Sequence, residues 1–571
     1  MFEKQGWEAR VEEAAQKLNL QWYKNEDRYS DGDIEDDIIK YIAQYEPEDY
    51  DKAVCEHLDW AVYYHLTNVR RNLLNWYPFQ KEASVLEIGA GCGALTGLLC
   101  DKCKKVTAVE LSKRRATAAQ LRCREKDNLE VIVGNLNDIE FGEKFDYITL
   151  IGVLEYQGTY TDSDSPYKDF LVKIKSLLKD DGKLLVAIEN KYGIKYWCGA
   201  GEDHTGVPFD GLNQYKLGGQ KTRTFAREEL TKLLKESGYT NCFFYYPMPD
   251  YKLPTVVYSD QYKPRNENLE NAAPYYIPSD ETLLIREKGL YRDIVKNNVF
   301  PFFANSFLVE CSSSLLDQGE EEKVIFAVLN SRRQKEYRLG TLIKNSGKVV
   351  KFPLENTANN HFLLSQILDN MEEIRSRGLK TLPYRVNQQN ELEMDFVKLP
   401  LLENYFRDAL SKGDEEEIWD LWDGILEKID VSSEEAEQDQ CIIYELKLDQ
   451  YQGNQKYGKI LRKGYVDMVP KNCFVDGDEL LWFDQEWTLD YIPVKFVLYR
   501  AMVEVYTAMP EMENLIPATE FIKHYKMEEC LDAFIELNQL FLDMVMNPYY
   551  VGILMERNNK HVFRKNVLKL L

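Results

Sequence analysis

Histidine is scarce in this chain: six among 571 residues, at positions 57, 65, 204, 361, 524 and 561. None pair at metal-ligand spacing, which excludes a zinc site built on a local His motif. Long apolar runs are missing too. No stretch approaches the ~18 consecutive apolar residues that a membrane-spanning helix needs. The opening Met-Phe-Glu-Lys-Gln-Gly-Trp-Glu has no basic stretch ahead of an apolar one, so no secretory signal is expected. Positive charge is in deficit: 71 Lys and Arg against 95 Asp and Glu, a net charge of −24. Phosphate neutralisation needs a surplus of cations, so a nucleic-acid partner is disfavoured. The eleven cysteines, scattered from Cys55 to Cys530, form no disulfide framework. Cys100 and Cys103 make one CxxC without a second pair and read as two cysteines near a helix end. Internal repeats and low-complexity tracts are absent. The expectation is a soluble protein of a reducing, cytoplasmic compartment, whose membrane contact is at most peripheral, at the inner face.

What is present is ordinary for folded domains, with 44% hydrophobic and 29% charged residues. The length predicts more than one core. Residues 1–80 have a helical pattern, rich in aromatics, that includes Trp60-Ala-Val-Tyr-Tyr-His-Leu. From Ser84 short β-branched runs alternate with helical stretches: 85–88, 105–109, 129–133, 145–151 and 183–188. Strands separated by helical segments predict a parallel α/β sheet. A polar, Tyr-rich region after Lys191 reads as an insertion capping the sheet. Residues 312–322 are small, polar and acidic and read as a linker. Three consecutive strands follow, at 324–328, 337–343 and 348–352, then mostly helices around a hairpin near Cys473–Trp482. The resulting division is a helical extension over 1–80, an α/β domain over 81–315 and an α+β domain over 322–571.

The first chemical signal is Val85-Leu-Glu87-Ile-Gly89-Ala-Gly91-Cys-Gly93-Ala94, a buried strand running into glycines ahead of a helical Leu95-Thr-Gly-Leu-Leu. Glycines permit a tight turn and let a ligand approach bare backbone. Gly89, Gly91 and Ala94 also satisfy the dinucleotide fingerprint, with Glu110 at the distance of its ribose-binding acid. Three features favour another cofactor. Glu87 precedes the first glycine by two residues, where an acid helps to organise a cationic amino-acid moiety. The third glycine is Gly93, giving E-x-G-x-G-x-G. Gly134-Asn135-Leu136 follows the third strand, and Gly152-Val153-Leu-Glu155-Tyr156 ends the fourth.

Over residues 84–240 this ordered series resembles the class I S-adenosylmethionine-dependent methyltransferases. The resemblance implies a Rossmann-like sheet and a cofactor site. Glu87, Gly89, Gly91 and Gly93 would surround the methionyl end, and Glu110 would bond both ribose hydroxyls. Asn135 and Leu136 would hold the adenine, although many relatives carry Asp at the position of Asn135. Gly152 and Val153 would lie beside the sulfonium. The chemistry is in-line displacement at an activated methyl carbon, for which the protein supplies mainly positioning. A hydroxyl acceptor also needs a general base. In Gly199-Ala-Gly-Glu-Asp203-His204-Thr-Gly206 the first candidate for base or acceptor-orienting group is His204 and the second Asp203; a structural loop histidine is the alternative. Arg223 and Arg227, near Gly218-Gly219, are candidates for an anionic acceptor.

The second signal lies at Gly464-Tyr-Val-Asp467-Met-Val-Pro-Lys-Asn472, followed by a hairpin and Asp484-Gln-Glu486. The D-x4-N, hairpin, D order matches the catalytic and metal-binding loops of phosphotransferases. Over residues 322–571 it is similar to protein-kinase-like enzymes of the aminoglycoside and choline kinase type. That similarity implies Asp467 as base, Asn472 and Asp484 as magnesium ligands, Glu486 as a further one, and Lys351 on the nucleotide phosphates, with ATP and Mg2+ as cofactors. A strand at 391–397 would be the hinge. No glycine-rich loop joins the first two strands; Ser331-Arg332-Arg333-Gln334-Lys335 occupies that turn. The His-Arg that commonly precedes the base is missing, and Glu372 and Glu373 are the candidates to pair with Lys351.

A methyltransferase followed by a kinase-like domain resembles the bifunctional chain-terminating enzymes of bacterial surface-polysaccharide synthesis, although no heptad-repeat C-terminal rod is visible. The expected acceptor is a glycan or phosphoglycan intermediate, with a small molecule as the alternative, and the expected partners are other polysaccharide-synthesis proteins. A pseudokinase that only recruits substrate is the competing reading of the C-terminal half. The basic tail around Arg557–Lys569 reads as a packed terminal helix or a contact for anionic lipid. The run Asp414-Glu-Glu-Glu417 reads as a helix start, where acids complement the dipole.

Overall fold

The computed structural model describes residues 2–25, 27, 32–217, 221–265, 269, 282–313, 320–355, 357–453 and 455–550. Gly218-Gly219, most of the 312–322 linker and the basic tail lie outside the described residues. The chain divides into two compact units: residues 1–330 with 342–346 and 549–571, and residues 331–341 with 347–548. Among the described residues no helix is long and apolar enough to cross a membrane.

The first unit is built on a twisted sheet. Strands β1 (Ser84–Ile88), β2 (Lys105–Glu110), β3 (Leu129–Val133), β4 (Phe145–Ile151) and β5 (Leu178–Glu189) form its parallel half, in the order 3-2-1-4-5. Their side chains are buried on both faces, with Val85, Leu86, Val106, Ala108, Ile148 and Leu150 all essentially inaccessible. Continuous apolar strands of this kind are what a sheet covered by helices on both sides requires. Beyond β5 come β6 (Asn241–Met248), β7 (Val256–Ser259), β8 (Ser306–Ser312) and β9 (Val324–Leu329). β8 pairs antiparallel with β5 and with β6, β6 with β7, and β7 with β9. The run at 324–328, expected as the first strand of the C-terminal domain, pairs with β7 of this unit through Val256↔Val328 and Val257↔Ala327 and is followed in the same sheet by Leu339–Lys344. The β7 edge is open there, and an apolar strand satisfies its unpaired amides.

The N-terminal helices α1 (Phe2–Gln16), α2 (Ile34–Gln44), α3 (Tyr50–Glu56) and α4 (Trp60–Leu66) share one apolar core with Cys92 of the loop after β1 and with Ala118 and Leu121 of the helix after β2. α5 (Thr96–Lys102) follows β1, and α6 (Lys113–Arg122) follows β2. Ser112 caps α6 by accepting from Arg115 N at 3.3 Å. Glu35 of α2 is buried between Arg114 and Arg115 of α6, at 3.0 and 2.6 Å. Removing one member of such a buried set costs about 3–5 kcal/mol, because the remaining charge is left unpaired.

In the second unit, Lys348–Pro353 pairs antiparallel with Leu392–Asp395, and helix Ala358–Ser376 follows with Thr357 as its cap. The hairpin Cys473–Asp476 and Glu479–Trp482 turns at Gly477, whose φ of 61° a glycine adopts without strain. Ile460–Tyr465 pairs with Thr488–Pro493. Helices Leu402–Lys412, Glu415–Val431, Val494–Ala508 and Leu531–Val545 enclose a core around the buried Trp422 and Trp482. Asp414 caps the helix begun by the acidic run, accepting from Glu417 N at 3.1 Å.

Candidate functional site

In an open α/β sheet a ligand crevice forms at the carboxyl ends of the strands where the order reverses. Here that point lies between β1 and β4, and a cavity of about 690 Å3 opens there. After β1 the chain turns through three glycines with positive φ, Gly89 at 74°, Gly91 at 55° and Gly93 at 76°. Gly89 N and Ala90 N both donate to Val109 O, which folds the loop over the end of β2. The three glycines have different work. A Cβ on Gly91 would meet nothing within 4 Å, and this residue lines the cavity. A Cβ on Gly89 would lie 2.3 Å from Cγ2 of Val153, itself a lining residue. A Cβ on Gly93 would lie 2.8 Å from Cα of Ala119 on α6, so this glycine permits close packing of α6.

Glu87 and Gly93, expected around the methionyl end, do not line the cavity. Alternation along β1 turns Glu87 inward, where its Oε2 accepts from the Thr96 hydroxyl at 2.6 Å. Burial, with Glu110 nearby, pushes its carboxyl up to about 7. Glu110 ends β2 and lines the cavity. Its Oε2 accepts from Gly91 N at 2.7 Å and its Oε1 from Ser112 N at 3.0 Å. Each oxygen keeps a lone pair for a ligand hydroxyl. Asn135, Leu136, Gly152 and Val153 complete this half of the lining. Asn135 Oδ1 accepts from Asn137 N, and this closes the turn after β3.

Sequence reasoning did not put the N-terminal helices in the site. Trp60, Tyr64 and Arg70 all line the cavity. Trp60 stacks on Tyr64 with centroids 6.1 Å apart, and Arg70 lies over the Tyr64 ring at 4.2 Å. The aromatic density of residues 60–66 was the available signal, but nothing local says which way such a helix faces.

The opposite end of the cavity is polar. Glu155 follows β4, Glu189 ends β5, and Asp203, His204, Tyr251 and Lys252 come from the segment after it. His204 Nδ1 and Tyr156 Oη are 3.0 Å apart, and His204 Nε2 faces Glu189 Oε2 at 3.4 Å. Lys252 Nζ donates to Glu189 Oε1 at 2.5 Å and Tyr251 Oη donates to the same atom at 3.2 Å. Burial alone would lower the His204 imidazole, but Glu189 and Glu155 outweigh it and raise the group to about 9. Burial and the neighbouring Glu189 raise Glu155, whereas Lys252 and His204 overcome burial and hold Glu189 down. His204 therefore carries a proton at neutral pH in this state, which suits it to orienting a group rather than accepting a proton. Asp203, the second candidate base, is fully engaged. It accepts from Lys252 at 2.6 Å, pairs with Lys195 at 2.7 Å and also bonds Tyr196. These partners outweigh burial and hold its carboxyl well below the usual carboxylate range. Arg227 pairs with Asp260 and Arg223 lies over Phe225; neither lines the cavity.

Residues 86–186, from β1 into β5, match the family model of a methyltransferase domain. The chain carries a methyltransferase domain. Over 114 residues it is 36% identical to an uncharacterized methyltransferase of Staphylococcus carnosus, a match covering 20% of this chain and 51% of the relative. Over 79 residues it is 37% identical to the malonyl-[acyl-carrier protein] O-methyltransferase of Priestia megaterium, covering 14% of this chain and 28% of that protein. The chain thus spans about half the length of the first of these curated relatives and less of the second. A solved SAM-dependent methyltransferase of Thermotoga maritima, described as a possible histamine N-methyltransferase, aligns over 46% of this chain and 98% of its own, at 17% identity and a TM-score of 0.28.

Outside the methyltransferase domain, the second unit gathers its own charged cluster. Lys351 Nζ bonds both Asp484 and Glu486, and Arg333 pairs with the other oxygen of Glu486. Asp467 Oδ2 accepts from Glu486 N and Trp487 N, each at 3.1 Å, and Asn472 Nδ2 donates to Asp467 O at 3.1 Å. Burial, reinforced by Glu486, pushes the Asp467 carboxyl up to about 7. Lys351, Asp467, Asn472, Asp484 and Glu486, the five residues expected here, therefore lie together. The partner of Lys351 is not the helix acid expected. Glu373 is held by Lys463 at 2.6 Å and Tyr465 at 2.8 Å. Lys351 takes the acids of the 484–486 turn, of which Glu486 is buried beside it and Asp484 is half-buried.

Proposed function

We propose that the first unit transfers a methyl group from S-adenosylmethionine to a polar acceptor seated against Glu155, Glu189 and His204. One observation carries this reading: bare Gly91, the Glu110 carboxylate and the Asn135–Leu136 turn line the same cavity as those three polar residues. In this reading Gly91 admits the methionyl end to the backbone, Glu110 receives the ribose hydroxyls, and Asn135 with Leu136 holds the adenine. Gly152 and Val153 flank the sulfonium. The donor is already activated by its positive sulfur, so the residues contribute alignment and exclusion of water. Calorimetry with S-adenosylmethionine tests the assignment. Hydrogen bonds to a charged group contribute about 1.5–3 kcal/mol each, so the loss of two in Glu110→Ala is expected to weaken binding by about 100- to 10,000-fold. Equal affinity in the variant and the native chain would remove the cofactor assignment.

The acceptor we favour is a glycan or phosphoglycan terminus of cell-envelope polysaccharide synthesis, because the acceptor end is lined by carboxylates, an imidazole and a lysine. Mass spectrometry of envelope glycans from a host with and without the protein would show a methyl ether or methyl phosphate. Its absence would turn the reading to a small-molecule acceptor.

The charged cluster favours a second activity in the other unit, Mg2+-dependent phosphoryl transfer from ATP. Lys351 would pair with the nucleotide phosphates, Asn472 Oδ1 and Asp484 would hold magnesium, and Asp467 would take the acceptor hydroxyl proton. A carboxyl held near 7 suits that last role. Phosphates would draw Lys351 from Asp484 and leave that carboxylate to the cation. ATP turnover that is lost in Asp467→Asn supports this reading. No turnover across a broad panel of sugars favours a binding module that only recruits substrate.

A further inference from the structure

Three side-chain atoms at the acceptor end have no hydrogen-bond partner although each is buried: Glu155 Oε2, Glu189 Oε2 and His204 Nε2. Glu155 and Glu189 are 1% and 0% exposed, and the His204 side chain is 7% exposed. Buried polar atoms are almost always satisfied, yet His204 Nε2 and Glu189 Oε2 have only their 3.4 Å ion pair, which a cation replacing the imidazolium proton would convert into two ligand bonds. One ligand atom from each residue lies within 4.8 Å of the others. They come from three separate places in the chain, the turn after β4, the end of β5 and the loop at 199–206.

The surroundings orient these atoms. Glu189 Oε1 is taken by Lys252 and Tyr251, which aims Oε2 at the gap. His204 Nδ1 is engaged by Tyr156 Oη, which leaves Nε2 facing the same gap. Metal-bound imidazoles characteristically have their other nitrogen fixed in this way. Around a tetrahedral ion with bonds of ~2.1 Å, ligand atoms stand about 3.4 Å apart. His204 Nε2 and Glu189 Oε2 are separated by 3.4 Å.

We propose that Glu155, Glu189 and His204 form a binding site for a divalent first-row transition-metal cation. One nitrogen and two carboxylate oxygens suit Zn2+, Mn2+ or Co2+ better than Mg2+ or Ca2+, which prefer oxygen alone. Three protein ligands leave coordination positions open toward the cavity, where an acceptor hydroxyl or amine can enter. Only that placement beside an acceptor rests on the methyltransferase reading; binding of the ion does not.

The test uses the full chain, stripped with a chelator and measured without S-adenosylmethionine, so that failure of the ion site and failure of the cofactor site are separate results. Zn2+ content by mass spectrometry and Co2+ d–d absorption are compared in the native protein, His204→Ala, Glu155→Gln and Asp484→Asn. The expected result is one ion per chain that Asp484→Asn retains and that His204→Ala and Glu155→Gln bind at least tenfold more weakly. The near-isosteric Glu155→Gln gives the answer if His204→Ala does not fold. A native chain that holds neither ion overturns the proposal, as does binding equal in the native protein and the folded variants of the trio.

Discussion

The three glycines after β1 make separable predictions, because a methyl group added to each meets a different neighbour. Gly93→Ala brings a Cβ to 2.8 Å from the Ala119 backbone of α6 at a φ of 76°. A left-handed conformation costs an ordinary residue about 1–2 kcal/mol and overpacking adds about 1–3 kcal/mol, so the loss of stability is about 2–5 kcal/mol. Gly91→Ala meets no atom within 4 Å, and its cost is the backbone term alone, about 1–2 kcal/mol. Its methyl group, however, stands in the cavity where the cofactor would lie against the main chain. Affinity for S-adenosylmethionine should then fall about 10- to 100-fold, or ~1.4–2.8 kcal/mol. Gly89→Ala strikes Cγ2 of Val153, drives that side chain into the cavity and should lower stability and affinity together. Urea unfolding of the full chain and calorimetry on the folded variants measure the two quantities independently. The reasoning fails if Gly91→Ala binds the cofactor like the native protein, or if Gly93→Ala is no less stable than Gly91→Ala.

Other outcomes follow from buried charge. The Glu87 carboxyl, raised from 4.5 to about 7 by burial with Glu110 near it, favours its neutral form in the fold. Stability is therefore full below pH 4.5 and is lost as pH climbs to 7, by about 3 kcal/mol at ~1.4 kcal/mol per pH unit. Glu87→Gln keeps an acceptor for Thr96 and should abolish that slope; parallel stability profiles of variant and native protein from pH 4.5 to 8 would refute the assignment. Lys252→Met leaves Glu189 and Asp203 short of a shared partner and should cost about 3–5 kcal/mol, read as a fall in the unfolding midpoint. In the second unit, Lys351→Met strands Asp484 beside Glu486, and a loss of about 3–5 kcal/mol is expected there too, with ATP affinity falling alongside if phosphate binds at that lysine. Unchanged ATP affinity would separate the structural role of Lys351 from a ligand-binding one.

Much of the first unit was legible because its signals are local. Four β-branched runs became β1 to β4 almost residue for residue and the fifth forms the second half of a longer β5, and the glycine turn, Glu110, Asn135 and Gly152 fell together because each ends a strand of one parallel sheet. Glu87 and Gly93 do not line the cavity, for a reason that is also physical. A motif gives spacing along the chain, whereas the pleat of β1 and the approach of α6 decide which atoms face the ligand. The run at 324–328 is a strand as expected, but its pairing with β7 could not be read from it, since a strand's sequence carries no record of the edge it will complete.

The amino-acid order alone determined the elements that local propensity and periodicity control: the alternating strands and helices, the left-handed glycine turn and the acidic helix start at Asp414. Folding decided the rest. Tertiary structure brought residues 60–70 over the cavity and set Glu155, Glu189 and His204 within 4.8 Å of one another. It also put a proton on His204 and committed Asp203 to two lysines. Charge state and partnership depend on burial and on neighbours remote in the chain, and those come into existence only when the sheet has closed around them.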